Sequence, residues 1–339
     1  IRHVALHHAA RAMDLGEDVK ALYELRELFA RETPDIVHTH NPKPGVYGRL
    51  AARSAGVPVV VNTVHGLYAV PGDPVVRRAV VYGLERVAAA CSDQELLQNV
   101  EDVEVLRALG VPRDRITVLG NGVDLDRFDG VRGARRGDGR SGRDRVRRSW
   151  GFEPDEVVVG AVGRLVREKG YPELFAAFAR VREKQPAARL VVVGPDDPDK
   201  ADGVTVEERR GAEAQGVVFA GARDDMADIY RAFDVYVLAS HREGFPRSAM
   251  EAAAMGLPIV ATDIRGCRQV VDHGRTGLLV PLGDVERLAD GVALLAGDRA
   301  MRSGMGDAAR RKAVREFDQQ SVIDRTLAVY ERLRAAIAR

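Results

Sequence analysis

Short, continuously apolar segments recur along this chain, and segments with helical spacing of apolar residues lie between them. Runs such as 157–162 and 190–193 contain only valine, leucine, alanine and glycine, which predicts strands buried on both faces. Buried strands that alternate with helices form parallel sheets covered by helices. We therefore predict an α/β fold of two Rossmann-like, doubly wound parallel-sheet domains that face a cleft. The predicted strands are 34–40, 58–63, 116–119, 157–162, 190–193, 217–219, 235–238, 258–261 and 277–280.

A break in this alternation sets the predicted domain boundaries. Residues 130–148 contain eight arginines and five glycines without apolar periodicity, which is typical of a mobile surface loop. A patch for anionic lipid head groups is the alternative interpretation. We predict an N-terminal domain over 1–125, a basic Gly/Arg-rich linker over 126–150 and a C-terminal domain over 151–317. A C-terminal helix over 318–339 is expected to pack back towards the first domain.

Composition excludes several classes of protein. The 339 residues suffice for two domains with full cores. The net charge of +1 argues against nucleic acid as the main partner. No apolar run reaches the roughly 20 residues that span a bilayer. Cys91 and Cys267 lack metal-ligand spacing and fit a reducing cytosol, so we expect a cytoplasmic protein without a metal site.

Two glutamates eight positions apart follow the predicted strand 235–238. Glu243 is expected on the loop at the carboxyl end of that strand, and Glu251 in the following helix, on the same face as Arg247 and Ser248. Ligands of open α/β sheets bind at the carboxyl ends of the strands. Carboxylates there suit a polyol better than a phosphate, because they accept hydrogen bonds from hydroxyls and repel anions.

A basic loop follows the first strand of the second half. Gly163 begins this loop, and Arg164 and Lys169 lie on it, at the sheet edge that also carries Glu243. A diphosphate can be bound by an arginine, whose planar guanidinium donates two parallel hydrogen bonds, together with a lysine, whose ammonium carries a compact charge. The alternative is a solvated basic turn, which the nearby glutamate pair disfavours.

These motifs together resemble those of a known family. The 163–170 loop with the Glu243–Glu251 pair looks like that of a retaining glycosyltransferase of family 4, which has the GT-B fold. Residues 63–66, 121–124 and 265–268 are similar to the bacterial branch that builds capsule, exopolysaccharide and lipid-linked glycans. The resemblance covers about residues 1–320, and the combination of motifs is more specific than any one of them.

The resemblance implies a role for each matching residue. The donor would be a nucleotide sugar, UDP-linked, bound by the C-terminal domain without a metal or other cofactor. Arg164 and Lys169 would stabilise the leaving diphosphate, Glu251 would bind the ribose, and His65 would face the donor sugar across the cleft. Glu243 would hold the sugar together with backbone N–H groups of the segment after it. The implied catalytic set is Arg164, Lys169, Glu243 and His65, and the implied donor-binding set is Gly163, Gly244, Phe245, Pro246, Arg247 and Glu251.

The acceptor-binding role falls to the N-terminal domain. Lys43 lies where a helix begins after a strand, a position that attracts anions, such as a polyprenyl diphosphate sugar; a turn with a solvated lysine is the alternative. An apolar and basic patch could contact an anionic membrane on the inner face of the plasma membrane, although core packing explains its apolar members equally well. Its members are Tyr68, Val70, Val75, Val76, Arg77 and Arg78.

The chain departs from the family at its start. Family members begin with a strand, a glycine-rich loop and a helix, and nothing of this kind precedes Asp14, so about 30 residues are expected to be absent. Two alternatives to a transferase stay open: a UDP-sugar 2-epimerase, because it shares the two-domain fold, and a truncated, non-catalytic nucleotide-binding remnant. A dinucleotide dehydrogenase is disfavoured, because no G-x-G-x-x-G follows a predicted strand.

Overall fold

The structure is a computed structural model that describes residues 2–8, 14–40, 42–67, 69, 73–129, 138–196 and 202–337. The chain divides into two compact units. The first contains Ile1–Gly120 and Ser321–Arg339, and the second contains Asn121–Gln320. The chain therefore passes between the units twice, and the C-terminal segment belongs to the first of them.

The first unit is built on a parallel sheet with the strand order β1-β2-β3-β4 in the described residues. Its strands are β1 (Ile36–His40), β2 (Val59–Val64), β3 (Gln94–Leu97) and β4 (Ile116–Val118). Its helices are α1 (Leu15–Glu32), α2 (Pro42–Ser54), α3 (Val75–Ala89) and α4 (Asp102–Ala108). Val59, Val61 and Leu96 pack with Val329 of the C-terminal helix in one apolar cluster.

Strand β3 was not predicted from the sequence, because its first two residues are polar. Gln94 and Glu95 are nevertheless buried. The Glu95 carboxylate accepts hydrogen bonds from Arg49 at 2.9 Å and from Asn62 at 2.8 Å. Burial raises the pKa of Glu95, and the charge of Arg49 opposes this effect. A buried ionic cluster thus replaces apolar residues beside the middle of the sheet.

The second unit is a parallel sheet in the order β10-β9-β8-β5-β6-β7 in the described residues. Its strands are β5 (Val157–Val162), β6 (Ala188–Val193), β7 (Val218–Phe219), β8 (Val235–Leu238), β9 (Ile259–Thr262) and β10 (Gly277–Val280). The chain enters at β5, extends to β7 and returns beside β5 at β8. The strand order therefore reverses between β5 and β8, and such a switch point forms a ligand-binding crevice at the carboxyl ends of the strands.

Helices cover this sheet and continue to the C-terminus. The helices of the second unit are α5 (Asp138–Ser149), α6 (Tyr171–Lys184), α7 (Val206–Ala214), α8 (Met226–Ala232), α9 (Arg247–Ala254), α10 (Arg265–Val270), α11 (Val285–Gly297) and α12 (Arg299–Glu316). The last helix is α13 (Gln319–Ile337). It begins in the second unit, and from Ser321 onwards it belongs to the first.

Helix α5 corrects the predicted linker. Residues 126–150 lie inside the second unit, whose boundary is at Asn121, and residues 130–137 are outside the described part. The arginines of α5 are held in place by ion pairs, and the segment lacks apolar periodicity. Arg143 and Arg147 donate to the two carboxylate oxygens of Asp234 at 2.7 and 2.5 Å. Arg147 is only 3% exposed and also donates to the carbonyl of Ala232, so a sequence that looked like a solvated loop forms a packed helix.

Candidate functional site

The loops that follow β5 and β8 approach each other closely at the switch point. Gly170 has a φ of +70°, and a Cβ built on it would lie 2.0 Å from the carbonyl oxygen of Ala239. A Cβ on Gly194 would lie 1.9 Å from the carbonyl oxygen of Gly163. Real Cβ atoms do not make such contacts, so both positions require glycine. Gly170 allows the basic loop to pack on the segment that leads to Glu243, and Gly194 allows the loop after β6 to pack on the start of the basic loop.

Lys169 and Glu243 form the centre of this site. The Lys169 ammonium lies 2.6 Å from Glu243 Oε1, and their side chains are 25% and 12% exposed. The Ser240 hydroxyl donates to the same carboxylate oxygen at 2.8 Å. Ser240 is in turn fixed by Thr262, whose hydroxyl donates to the Ser240 carbonyl at 2.5 Å. Ser240 was not predicted as a site residue, although its place three residues before Glu243 could have suggested it.

The backbone of Glu243 is held as firmly as its side chain. A Cβ on Gly266 would lie 2.4 Å from the carbonyl oxygen of Glu243, so the start of α10 packs directly on that peptide. The neighbouring Cys267 is fully buried. Burial, and then the charge of Glu243, raises the pKa of the Cys267 thiol to about 12. This thiol therefore stays protonated at neutral pH and is not an activated nucleophile.

Glu251 lies in the second turn of α9, with both carboxylate oxygens engaged. The Tyr230 hydroxyl donates to Oε2 at 2.9 Å, and Arg247 Nε donates to Oε1 at 3.2 Å. Burial raises the pKa of Glu251, while Tyr230 and Arg247 act in the opposite direction. Tyr230 is fully buried and was not identified from the sequence. The carboxylate is thus oriented by a buried tyrosine on one side and by an exposed arginine of α9 on the other.

The remaining predicted donor residues line the same strand ends. Arg164 lies on the loop after β5, and Arg247 is the first residue of α9; both side chains are exposed. Pro246 is the N-cap of α9. Phe245 packs edge-on against Phe317 with ring centroids 5.8 Å apart. Gly244 lies between Glu243 and this aromatic residue, so residues 243–247 lead from the loop after β8 into α9.

Tyr171 and Tyr236 connect the two loops. The Tyr171 hydroxyl donates to the carbonyl of Gly163 at 3.0 Å. The Tyr236 hydroxyl lies 2.7 Å from Ser248 Oγ, at the start of α9. Burial is the main cause that raises the pKa of both phenols, so both remain neutral donors. Neither tyrosine was predicted as a site residue, because buried tyrosines on strands and helices are ordinary core residues.

His65 lies in a cluster of three histidines at the carboxyl ends of β1 and β2. His40 Nδ1 and His65 Nε2 share a hydrogen bond of 3.0 Å. The rings of His38 and His40 are 4.2 Å apart, and the Tyr330 hydroxyl hydrogen-bonds to His38. Burial, followed by the neighbouring histidines, lowers the pKa of His38 to about 3. Burial also lowers the pKa values of His40 and His65, so the cluster is neutral at pH 7.

Lys43 does not stand alone at the start of α2. Its ammonium lies 2.6 Å from Asp18 Oδ1, and each side chain is 18% exposed. An anion at this helix start would have to compete with Asp18 for the lysine charge. Lys43 and His65 belong to the first unit, whereas the other predicted site residues belong to the second. Within the described ranges, no group of three or more His, Cys, Asp and Glu side chains is arranged to hold a metal ion.

Comparison with known proteins identifies the family. Residues 2–127 match the model of Glycosyltransferase Family 4, and residues 156–298 match that of Glycosyl transferases group 1. The UDP-Gal:alpha-D-GlcNAc-diphosphoundecaprenol alpha-1,3-galactosyltransferase of Escherichia coli is 31% identical over 325 residues, which cover 94% of this chain and 81% of the relative. The chain is a family 4 glycosyltransferase. The family resemblance inferred from the motifs is thereby confirmed.

Two further comparisons bear on this family 4 glycosyltransferase. A GDP-mannose-dependent alpha-mannosyltransferase of Mycobacterium tuberculosis is 35% identical over 310 residues, which cover 89% of this chain and 74% of the relative. The crystal structure of Anabaena Alr3699/HepE in complex with UDP matches with a TM-score of 0.77 at 21% identity, over 92% of this chain and 82% of that one. This likeness confirms the GT-B fold predicted from the sequence.

Proposed function

We propose that this glycosyltransferase transfers a sugar from a UDP-sugar to a lipid-linked or polysaccharide acceptor with retention of configuration. The observation that carries the proposal is the Lys169–Glu243 ion pair at the β5/β8 switch point. It places one cation and one fixed hydrogen-bond acceptor together where a ligand of this fold binds. A nucleotide sugar needs both, because its diphosphate is anionic and its sugar carries hydroxyls.

The donor is expected to lie along the ends of β5 and β8. Lys169 and Arg164 would bind the diphosphate, and Arg247 would contact it from the start of α9. Glu251 would accept hydrogen bonds from the ribose hydroxyls, because a carboxylate keeps further lone pairs after accepting one bond from Tyr230 and one from Arg247. Glu243 would accept hydrogen bonds from the sugar hydroxyls, and the backbone N–H groups of residues 244–247 would donate hydrogen bonds to the donor.

The chemistry of the reaction fits these side chains. As the glycosidic bond to the diphosphate breaks, positive charge develops at the anomeric carbon and negative charge on the departing phosphate oxygens. Preorganised cations therefore provide the main stabilisation. We propose that a departing phosphate oxygen takes the proton of the acceptor hydroxyl, so that no side chain acts as general base. Glu243 is paired with Lys169 and serves as an orienting acceptor, not as a nucleophile.

We also propose that Lys169 and Arg164 replace a metal ion in neutralising the leaving group. In the first unit, His65 would offer a neutral imidazole to the donor sugar. His65 Nε2 shares a hydrogen bond with His40, and the side chain of Gln98 is a second hydrogen-bond partner of His65, so a sugar hydroxyl would replace one of these partners. A neutral ring suits this task, because an imidazolium would repel the positive charge that develops at the anomeric carbon.

The acceptor proposal rests on the relative from Escherichia coli. Its name specifies a diphosphoundecaprenol-linked sugar as acceptor, and we propose an acceptor of that class here. The diphosphate of the acceptor would replace Asp18 as the ion-pair partner of Lys43. Across the described chain, no helix is both long and apolar enough to cross a membrane. We propose that a lipid-linked acceptor brings this protein to the inner face of the plasma membrane.

Purified protein supplied with a UDP-sugar and a lipid-linked acceptor tests the proposal. We expect transfer with an α-linked product from an α-linked donor, seen in the anomeric coupling constants, and equal rates with and without EDTA. GDP-mannose serves as the competing donor. A product of inverted configuration would refute retention. Conversion of the UDP-sugar without acceptor would instead indicate a 2-epimerase, and tight UDP binding without turnover would indicate a non-catalytic remnant.

A further inference from the structure

Helix α3 presents an apolar face to solvent. Val76, Val80, Leu84 and Val87 are 76%, 55%, 45% and 56% exposed. Their spacing of four, four and three residues places them in one stripe along the helix. The stripe extends over about 17 Å at 1.5 Å per residue. Val75, at the start of the helix, is also exposed, so the alternative that core packing explains the apolar patch does not hold for Val75 and Val76; Tyr68 and Val70 lie outside the described residues.

The opposite face of α3 fixes this orientation. Glu85 is buried, and both of its carboxylate oxygens accept hydrogen bonds from Arg49, at 2.9 and 3.1 Å. Arg49 is only 1% exposed. Tyr82, on the same side of the helix, donates to the carbonyl of Ala69 at 3.2 Å. Rotating α3 to bury its valines would break a buried ion pair, which is strongly unfavourable. The apolar face is therefore a fixed feature of the first unit.

The charged side chains of α3 that border this face are positive. Arg77 and Arg86 lie at opposite margins of the apolar stripe and are both exposed. The single carboxylate of α3 is Glu85, which points inwards. Arg77 pairs with Asp73 at 3.7 Å, and its own side chain remains 43% exposed. An apolar stripe between arginines matches the boundary between the acyl chains and the anionic head groups of a bilayer.

A second copy of the chain fits this face less well. A two-fold contact would place the same patch on both partners, which would bring the arginine margins against each other. An anionic membrane instead attracts them. We propose that α3 is a membrane-docking surface, with the four apolar side chains inserted among lipid chains and Arg77 and Arg86 on lipid phosphates. This inference deepens the proposed use of a lipid-linked acceptor by naming the surface that meets the lipid.

Co-sedimentation of the full chain with lipid vesicles tests the docking surface. We expect binding to vesicles that contain phosphatidylglycerol and little binding to vesicles of phosphatidylcholine alone. The variant V80E/L84E should weaken binding about tenfold or more, because both carboxylates would have to enter the apolar boundary. The matched control is Val206→Glu on α7, which is 59% exposed in the second unit and should bind like the unchanged protein.

Several outcomes would overturn the inference. These are the absence of binding to anionic vesicles, equal binding by V80E/L84E and the unchanged protein, or a solution dimer that V80E/L84E converts to monomer. UDP affinity and circular dichroism of each variant show whether it is folded. Vesicle binding is measured without donor or acceptor, so its failure leaves the proposed transfer reaction intact. Conversely, membrane binding by a protein that transfers no sugar would refute the proposed function alone.

Discussion

Replacing Lys169 by methionine is the most direct test of the donor site. Methionine keeps much of the apolar side chain and removes the ammonium that lies 2.6 Å from Glu243. Loss of one preorganised group that stabilises a departing anion typically lowers kcat by about 10²–10³, or about 2.7–4 kcal/mol of transition-state stabilisation. We expect a decrease in kcat of that size for Lys169→Met.

Donor binding should change less than turnover. Arg164 and Glu251 would still hold the diphosphate and ribose in the ground state, so the Kd for UDP should rise by less than about tenfold. The free energy of unfolding should also decrease only slightly. Glu243 loses its charge partner, which typically costs about 1–3 kcal/mol for a buried group, but it keeps the Ser240 hydroxyl at 2.8 Å. We place the loss at the lower end of that range.

Three measurements check this prediction: kcat and KM from UDP release, Kd for UDP from calorimetry, and the free energy of unfolding. Lys184→Met is the matched control, because Lys184 forms a surface pair with Asp290 in which both side chains are more than half exposed. That pair should contribute little to stability and nothing to transfer. The reasoning is refuted if Lys169→Met keeps kcat within about threefold, or if UDP binding falls by the same factor as kcat.

Further predictions concern the Glu243–Glu251 pair, the backbone of Glu243 and the histidine cluster. Glu251→Gln should weaken UDP binding about tenfold, because one hydrogen bond from a ribose hydroxyl to a charged carboxylate is lost. Calorimetry measures the Kd, and an unchanged Kd would contradict the proposed binding of the ribose by Glu251. Gly266→Ala should lower transfer at least about tenfold, because its Cβ would lie 2.4 Å from the Glu243 carbonyl oxygen, whereas Gly304→Ala, with nothing within 4 Å, should not. His38 has a pKa near 3 in the folded protein and near 6.5 when unfolded. The unfolded chain therefore binds more protons in this pH range. Lowering the pH from 6.5 to 4 should reduce the free energy of unfolding by about 3 kcal/mol through His38. Denaturant titrations of His38→Gln should lack this decrease.

Much of the site could be placed from the sequence, because it depends on local rules. Buried valine-rich runs alternating with helices predicted parallel sheets, and residues that directly follow such runs must lie at the carboxyl ends of the strands. That argument placed Arg164, Lys169 and Glu243 at one edge of a sheet. Helical spacing placed Glu251 one turn after Arg247, and the hydrogen bond between them follows from it.

The tertiary structure decided how charges are paired and which faces are covered. Ser240 and Tyr230 orient the two glutamates from positions that look like ordinary loop and core residues in the sequence. Helix α5 forms because Asp234, about 90 residues away, accepts from its arginines. The apolar side of α3 faces outwards because Glu85, on the opposite side of the helix, is bound by the buried Arg49. Sequence periodicity reports local backbone geometry, whereas ion pairing and exposure depend on residues that only folding brings together.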